Sequence, residues 1–208
     1  MPVLRLYADH IFTSPYALSV YVALREKGLE FDLLTLDLEA GEQHAAQFAR
    51  LSRTQRVPTL IHDDFVLSES SAITEYLDEV FAQAPLYPRE PQQRAVARQI
   101  QAWLRSDMLA LRQERSTLVV FYGQQGAPLS ASASACVGKL IDAALSWLGD
   151  GRDHLFEQWS IVDVDLALML NRLVLGGDPV PAPLQAYAQR QWQRPGIQEW
   201  LALERAPL

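Results

Sequence analysis

The stretch Arg56-Val57-Pro58-Thr59-Leu60-Ile61-His62-Asp63-Asp64-Phe65-Val66-Leu67-Ser68-Glu69-Ser70-Ser71 organises the fold. Two β-prone runs, 57–61 and 65–67, flank the turn His62-Asp63-Asp64 and read as a hairpin. A helix follows at once, carried by Ile73, Tyr76, Leu77 and Val80, with Ser68, Ser70 and Ser71 at its start as capping hydroxyls. Pro58 cannot donate to a β-ladder, so it belongs at a strand start, an edge or a special turn. A cis Val57–Pro58 bond would leave the Val57 backbone turned outward and unpaired.

Upstream, residues 3–8 alternate as a strand, and Ser14-Pro15 opens a helix over 15–27 that Gly28 stops. That helix is apolar on most sides (Tyr16, Leu18, Val20, Val22, Leu24), which requires deep burial. Residues 31–38 form the next strand, so the first three elements make a right-handed parallel β-α-β unit. A weaker helix over 42–51 leads to the hairpin. The order β-α-β-α-β-β-α ends near residue 82, and the run 83–91, with Pro85, Pro88 and Pro91, is a linker. Beyond it only helices are expected. A long amphipathic one over 94–115 carries an arginine stripe (Arg94, Arg98, Arg105, Arg112), and others cover 130–148 and 161–175, with two short ones in 179–208. Ser160 and Asp163 have capping-box spacing, and Trp159 with Val164 have hydrophobic-staple spacing, a folding device rather than a chemical one. The expected domains are therefore 1–82, an α/β domain, and 92–208, all-helical.

The 208 residues, 49% of them hydrophobic, suffice for two such cores. No apolar run is long enough for a membrane span, and Met1-Pro2-Val3-Leu4-Arg5 lacks a signal pattern, so neither insertion nor secretion is expected. The single cysteine, Cys136, excludes an intramolecular disulfide and fits a reducing cytoplasm. His10, His44, His62 and His154 lack metal-site spacing, so no metal is expected.

The net charge of −7 is uneven: 1–82 hold 13 acids and 6 bases, while 83–208 hold 12 of each. Arg50, Arg53 and Arg56 nevertheless cluster just before Pro58, which suits a small anionic ligand better than nucleic acid. Solvated arginines on one helix side are the equally weighted plain reading.

Ser14-Pro15-Tyr16 opening helix 1, Val57-Pro58-Thr59-Leu60 before a hairpin, Ser68-Glu69-Ser70-Ser71-Ala72-Ile73 opening helix 3, and a helical domain with a Ser-x-x-Asp box together resemble the glutathione S-transferases. More narrowly, Ser14-Pro15-Tyr16, Gln99-Ile100-Gln101-Ala102-Trp103-Leu104-Arg105-Ser106-Asp107 and Asn171-Arg172-Leu173-Val174-Leu175 resemble the bacterial YfcF-type members. The resemblance implies a thioredoxin-like N-terminal domain that binds glutathione as co-substrate. It implies that the Val57 backbone pairs with the cysteinyl residue, that Glu69 and Ser70 hold the γ-glutamyl end, and that Ser14 donates a hydrogen bond to the sulfur. Arg53, Gln55 and Arg56 are the candidates for the glycyl carboxylate, Arg56 and Gln55 foremost; the Ser52-Arg53 pair departs from the Asn-Pro common in the family.

The plain alternative for Ser14 is a helix cap; Thr13 and Tyr7 are its rivals for the sulfur, and Cys136 reads as core. The resemblance further implies a small electrophilic second substrate and a homodimer, with no nucleic-acid or membrane partner. A glutathione-dependent disulfide or peroxide reductase, and a non-catalytic binding protein of the same fold, are the competing functions.

Overall fold

The computed structural model describes residues 3–149 and 151–208. Met1 and Pro2, part of the N-terminal run read above for a signal and for the first domain, lie outside the described residues. The chain divides into two compact units: residues through Leu86 together with Pro195–Leu208, and Tyr87–Arg194.

The first unit contains β1 (Leu4–Asp9), α1 (Pro15–Glu26), β2 (Asp32–Leu36), a 3-10 turn (Glu42–His44), α2 (Ala46–Leu51), β3 (Thr59–His62), β4 (Phe65–Ser68) and α3 (Ser70–Val80). The sheet order is β2-β1-β3-β4, with β1 and β2 parallel and the other pairs antiparallel. This is the thioredoxin-like α/β arrangement expected. The weaker helix at 42–51 is in fact two pieces, because Ala45 adopts extended backbone (φ −58, ψ 140) between them. The hairpin turn is tighter than expected: His62 pairs with Phe65, leaving Asp63 (φ 53) and Asp64 as its tip.

Helix α1 is buried continuously from Ala17 to Leu24. Its all-round apolarity has a physical reason: it packs on β1, on α3 and on a C-terminal helix, α10 (Pro195–Leu201). A Cβ on Gly196 would sit 3.3 Å from Arg25 Cβ and 3.5 Å from Val22 Cα, so glycine lets α10 lie close to α1 without the shift of a few tenths of an ångström that a side chain would impose. Trp200, fully buried, donates its indole N–H to Phe12 O at 3.1 Å and packs edge-on against Phe12 and Tyr21. The tail assigned by sequence to the helical domain, 195–208, thus groups with the first unit.

The second unit is all-helical: α4 (Pro91–Ser106), α5 (Leu109–Glu114), α6 (Thr117–Tyr122), α7 (Ala131–Leu148), α8 (Ile161–Val174) and α9 (Ala182–Trp192). The helix expected over 94–115 breaks into α4 and α5 at Asp107 and Met108. Ser106 donates its hydroxyl to Asp107 Oδ1 at 2.6 Å, the kind of local bond that competes with helix propagation. The arginine stripe is partly engaged rather than solvated: Arg112 donates to Arg105 O, and Arg105 lies 3.4 Å from Asp165. Helix α8, buried along nearly its whole length, is the centre of this unit.

Its start is held by fully buried Asp163, whose carboxylate accepts from the Ser160 and Leu155 N–H groups and the Tyr187 hydroxyl. Burial pushes the Asp163 carboxyl above its usual range, and burial beside Asp163 pushes the Tyr187 hydroxyl well up.

Candidate functional site

Strand register brings the sequence-predicted residues to one end of the sheet. Thr59 is opposite Tyr7 on one side and Ser68 on the other. Pro58 immediately precedes Thr59 in β3, Glu69 immediately follows Ser68 in β4, and β1 runs two residues past Tyr7 to Asp9, where the loop to Ser14 departs. Three stretches far apart in sequence therefore converge.

The Val57–Pro58 peptide is cis. Pro58 is buried, while Val57 is half-buried, and among the described residues no backbone hydrogen bond reaches its N–H or C=O. Thr59, fully buried, fixes the approach: its hydroxyl lies 2.8 Å from Arg56 O and 3.0 Å from Ser52 Oγ. Gln55 adopts a positive φ of 52, and its Oε1 lies 2.8 Å from His44 Nδ1, so its amide oxygen is engaged and its NH2 group is the end left to donate. The side chains of Arg53 and Arg56 are exposed and carry no ion pair among the described residues.

At the start of α3 the sequence expectation needs correction. The cap position is Glu69, and its side chain makes no capping bond; Ser68 closes β4, and Ser70 and Ser71 fall inside the first helical turn, where their hydroxyls lie past the cap position. Glu69 is exposed and holds φ 74, ψ 110, outside the regions open to ordinary side chains at low cost. Such backbone persists only where the surroundings enforce it, and it concentrates at ligand sites. Ser70 beside it is 4% exposed.

Ser14 caps α1, its Oγ accepting from Ala17 N at 3.2 Å. The plain cap reading is thus correct as far as the lone pairs go. The hydroxyl proton is another matter, since among the described residues no acceptor takes it. The rival Thr13 is differently placed: its hydroxyl donates to Asp9 Oδ2 at 2.9 Å and its N–H to the same oxygen at 2.6 Å. Tyr7 packs edge-on against Phe48, with centroids 5.2 Å apart. Cys136 is buried in the second unit against Met108 Sδ and Asp107 O.

Two residues here escaped the sequence reading, Asp9 and Trp200. An acid ending an apolar strand five residues before Ser-Pro was the available signal for the first, and a tryptophan four residues after a helical glycine for the second. Among the described residues no group of three or more His, Cys, Asp or Glu side chains could hold a metal, and no helix is long and apolar enough to cross a membrane.

Comparison with known proteins agrees with this arrangement. A family model described as the glutathione S-transferase N-terminal domain matches residues 2–79, and one described as the C-terminal domain matches 90–206. Glutathione S-transferase theta-3 of Mus musculus is 31% identical over 195 residues, covering 90% of this chain and 77% of that protein. Glutathione S-transferase 1 of Dianthus caryophyllus is 41% identical over 83 residues, covering 40% of this chain and only 38% of that protein. A glutathione transferase homolog from Burkholderia GL BGR1, solved with bound glutathione, is 44% identical with a TM-score of 0.80, covering 95% of this chain and 96% of the other. These likenesses carry the family rather than the narrower YfcF-type grouping. The chain belongs to the glutathione S-transferase family.

Proposed function

We propose that this protein is a glutathione transferase that activates the glutathione thiol at Ser14 for attack on a small electrophile. The observation that carries the reading is the uncommitted hydroxyl proton of Ser14, at the N-terminus of α1 and at the sheet end shared with Val57–Pro58 and Glu69–Ser70. The unpaired Val57 backbone accepts the cysteinyl residue as a short added strand. Glu69 takes the γ-glutamyl ammonium, and Ser70 with the start of α3 takes the α-carboxylate. Arg56 and the Gln55 amide hold the glycyl carboxylate.

A free thiol has a pKa of about 8.5. Lowering it by two units needs roughly 2.7 kcal/mol of preference for the thiolate. One hydrogen bond to a charged acceptor supplies about 1.5–3 kcal/mol, and the N-terminus of α1 adds about 0.3–1 kcal/mol. The sum suffices. The thiol proton leaves to solvent, the sulfur lone pair forms the new bond to carbon, and the leaving group departs with its electron pair. Ser14 donates a hydrogen bond throughout and never attacks.

The functional protein is a cytoplasmic homodimer on this reading, supported by the family, the lone cysteine and the charge asymmetry between residues 1–82 and the rest. A monomer by sedimentation at low salt rejects the dimer. The decisive experiment titrates the thiol of bound glutathione in the wild type and in Ser14→Ala. The variant's thiol pKa is expected to rise by about one to two units, the equivalent of that hydrogen bond. An unchanged value overturns the role of Ser14.

A further inference from the structure

Asp9 ends β1 with only 4% of its surface exposed. Its two oxygens take three hydrogen bonds: Oδ1 from Ser14 N–H at 2.9 Å, and Oδ2 from Thr13 N–H at 2.6 Å and Thr13 Oγ–H at 2.9 Å. A buried carboxylate needs such donors, so the loop 10–13 closes over it and the chain enters α1 with Ser14 fixed from beneath. Two adjacent hydroxyls stand at this helix start, and both residue types can donate to sulfur. The Asp9 carboxylate treats them unequally: it accepts a hydrogen bond from the Thr13 hydroxyl, and from Ser14 it accepts one from the backbone N–H while leaving the hydroxyl alone. Asparagine cannot substitute, because all three partners are donors and its NH2 would face at least one of them.

We propose that Asp9 is the positioning residue of this site, holding the Ser14 backbone and engaging the Thr13 hydroxyl so that of the two neighbours Ser14 donates to the glutathione sulfur. The inference rests on the role given to Ser14 above. Asp9 touches neither substrate nor sulfur and acts through Ser14 alone.

The test is a double-mutant cycle on the thiol pKa of bound glutathione, using wild type, Asp9→Asn, Ser14→Ala and the double variant, with Thr13→Val beside them. Asp9→Asn is expected to raise the thiol pKa by about one unit, which for a thiol lowered about two units from 8.5 is roughly a threefold loss of thiolate at pH 7. In the Ser14→Ala background the same change is expected to do almost nothing, because a residue acting through Ser14 is fully non-additive with it. Thr13→Val is expected to stay within about 0.3 unit of wild type, less than the spread a direct donor would produce.

An equal shift from Asp9→Asn in both backgrounds, or no shift in either, overturns the proposal while leaving Ser14 intact. No shift in Ser14→Ala overturns the underlying reading instead. If Asp9→Asn does not fold, Thr13→Val decides: a rise as large as that of Ser14→Ala makes Thr13 the donor and removes the selection assigned to Asp9, whereas a near-wild-type value upholds it.

Discussion

Lys27 Nζ lies 3.0 Å from Asp78 Oδ1, with 1% and 7% of the two side chains exposed. The ammonium also donates to Phe81 O at 2.8 Å and Gln83 O at 3.0 Å, and the same carboxylate oxygen accepts from Leu86 N. One cation thus ties the end of α1 to the end of α3 and to the chain that follows it. Lys27→Met takes the ammonium away from a buried carboxylate and from two backbone carbonyls, and is expected to cost about 3–5 kcal/mol in urea unfolding. A loss under about 1 kcal/mol, the range of an exposed pair, contradicts this account.

Glu69 sets function against stability. Its φ of 74 with ψ 110 costs about 1–3 kcal/mol with a side chain present, and glycine, which has no Cβ, relieves part of that cost. Glu69→Gly is therefore expected to raise unfolding free energy by about 1 kcal/mol and, by removing a charge-assisted contact, to raise the glutathione KM about tenfold or more. Glu69→Gln should show the KM effect without the stability gain. An unchanged KM in both variants removes Glu69 from the binding site.

The glycyl end should be weaker and salt-sensitive, because the Arg56 side chain is exposed. Arg56→Gln is expected to raise KM by roughly two- to fivefold at low salt, with the difference fading at high ionic strength. Arg53→Gln serves as the comparison. A larger effect from Arg53 than from Arg56 transfers the role.

Trp200 holds the loop that carries Ser14 from the C-terminal side. Trp200→Ala opens a cavity among Phe12, Tyr21 and the rest of the first unit's core, and removes the donor from Phe12 O. The expected cost is about 3–5 kcal/mol, with faster amide exchange at Phe12–Ser14. Exchange unchanged in that loop shows that Trp200 does not anchor it.

Asp163 and Glu114 should respond to pH in opposite directions. Burial holds Asp163 above the carboxylate range, so the native state keeps a proton that the unfolded chain releases. Its contribution is complete below about pH 3.9 and is lost as pH rises through the folded value. Glu114 is half-buried; the Ser130 hydroxyl and N–H hold its carboxyl below the usual range, so its contribution is present above about pH 4.3 and is lost on acidification. Measured by urea unfolding across pH 3–7, the deficit of Asp163→Asn is expected to be largest in acid and to shrink as pH rises. That of Glu114→Gln should do the reverse. Parallel trends in the two variants contradict the assignment.

Local chemistry made much of this protein legible from the chain alone. Ser14-Pro15 names a helix start because proline pre-sets φ and lacks an N–H, and the apolar length of α1 demands burial whatever surrounds it. Period-two alternation and a short turn specify the hairpin. The Ser160–Asp163 spacing specifies a helix start for the same local reason. The resemblance carried by Val57-Pro58 and Glu69-Ser70 named the binding candidates.

What the chain could not show were relations between residues without fixed spacing. That Glu69 rather than a serine occupies the cap follows from where β4 ends against β3. That Pro195–Leu208 returns to the first unit follows from the close approach of Gly196 to Val22 and Arg25, and from Trp200 reaching Phe12. The choice between Ser14 and Thr13 turns on which hydroxyl donates a hydrogen bond to the buried Asp9 carboxylate. Propensity and periodicity are properties of neighbours along the chain; the burial of a carboxylate and the direction of a hydroxyl are decided only when the fold has removed water from around them.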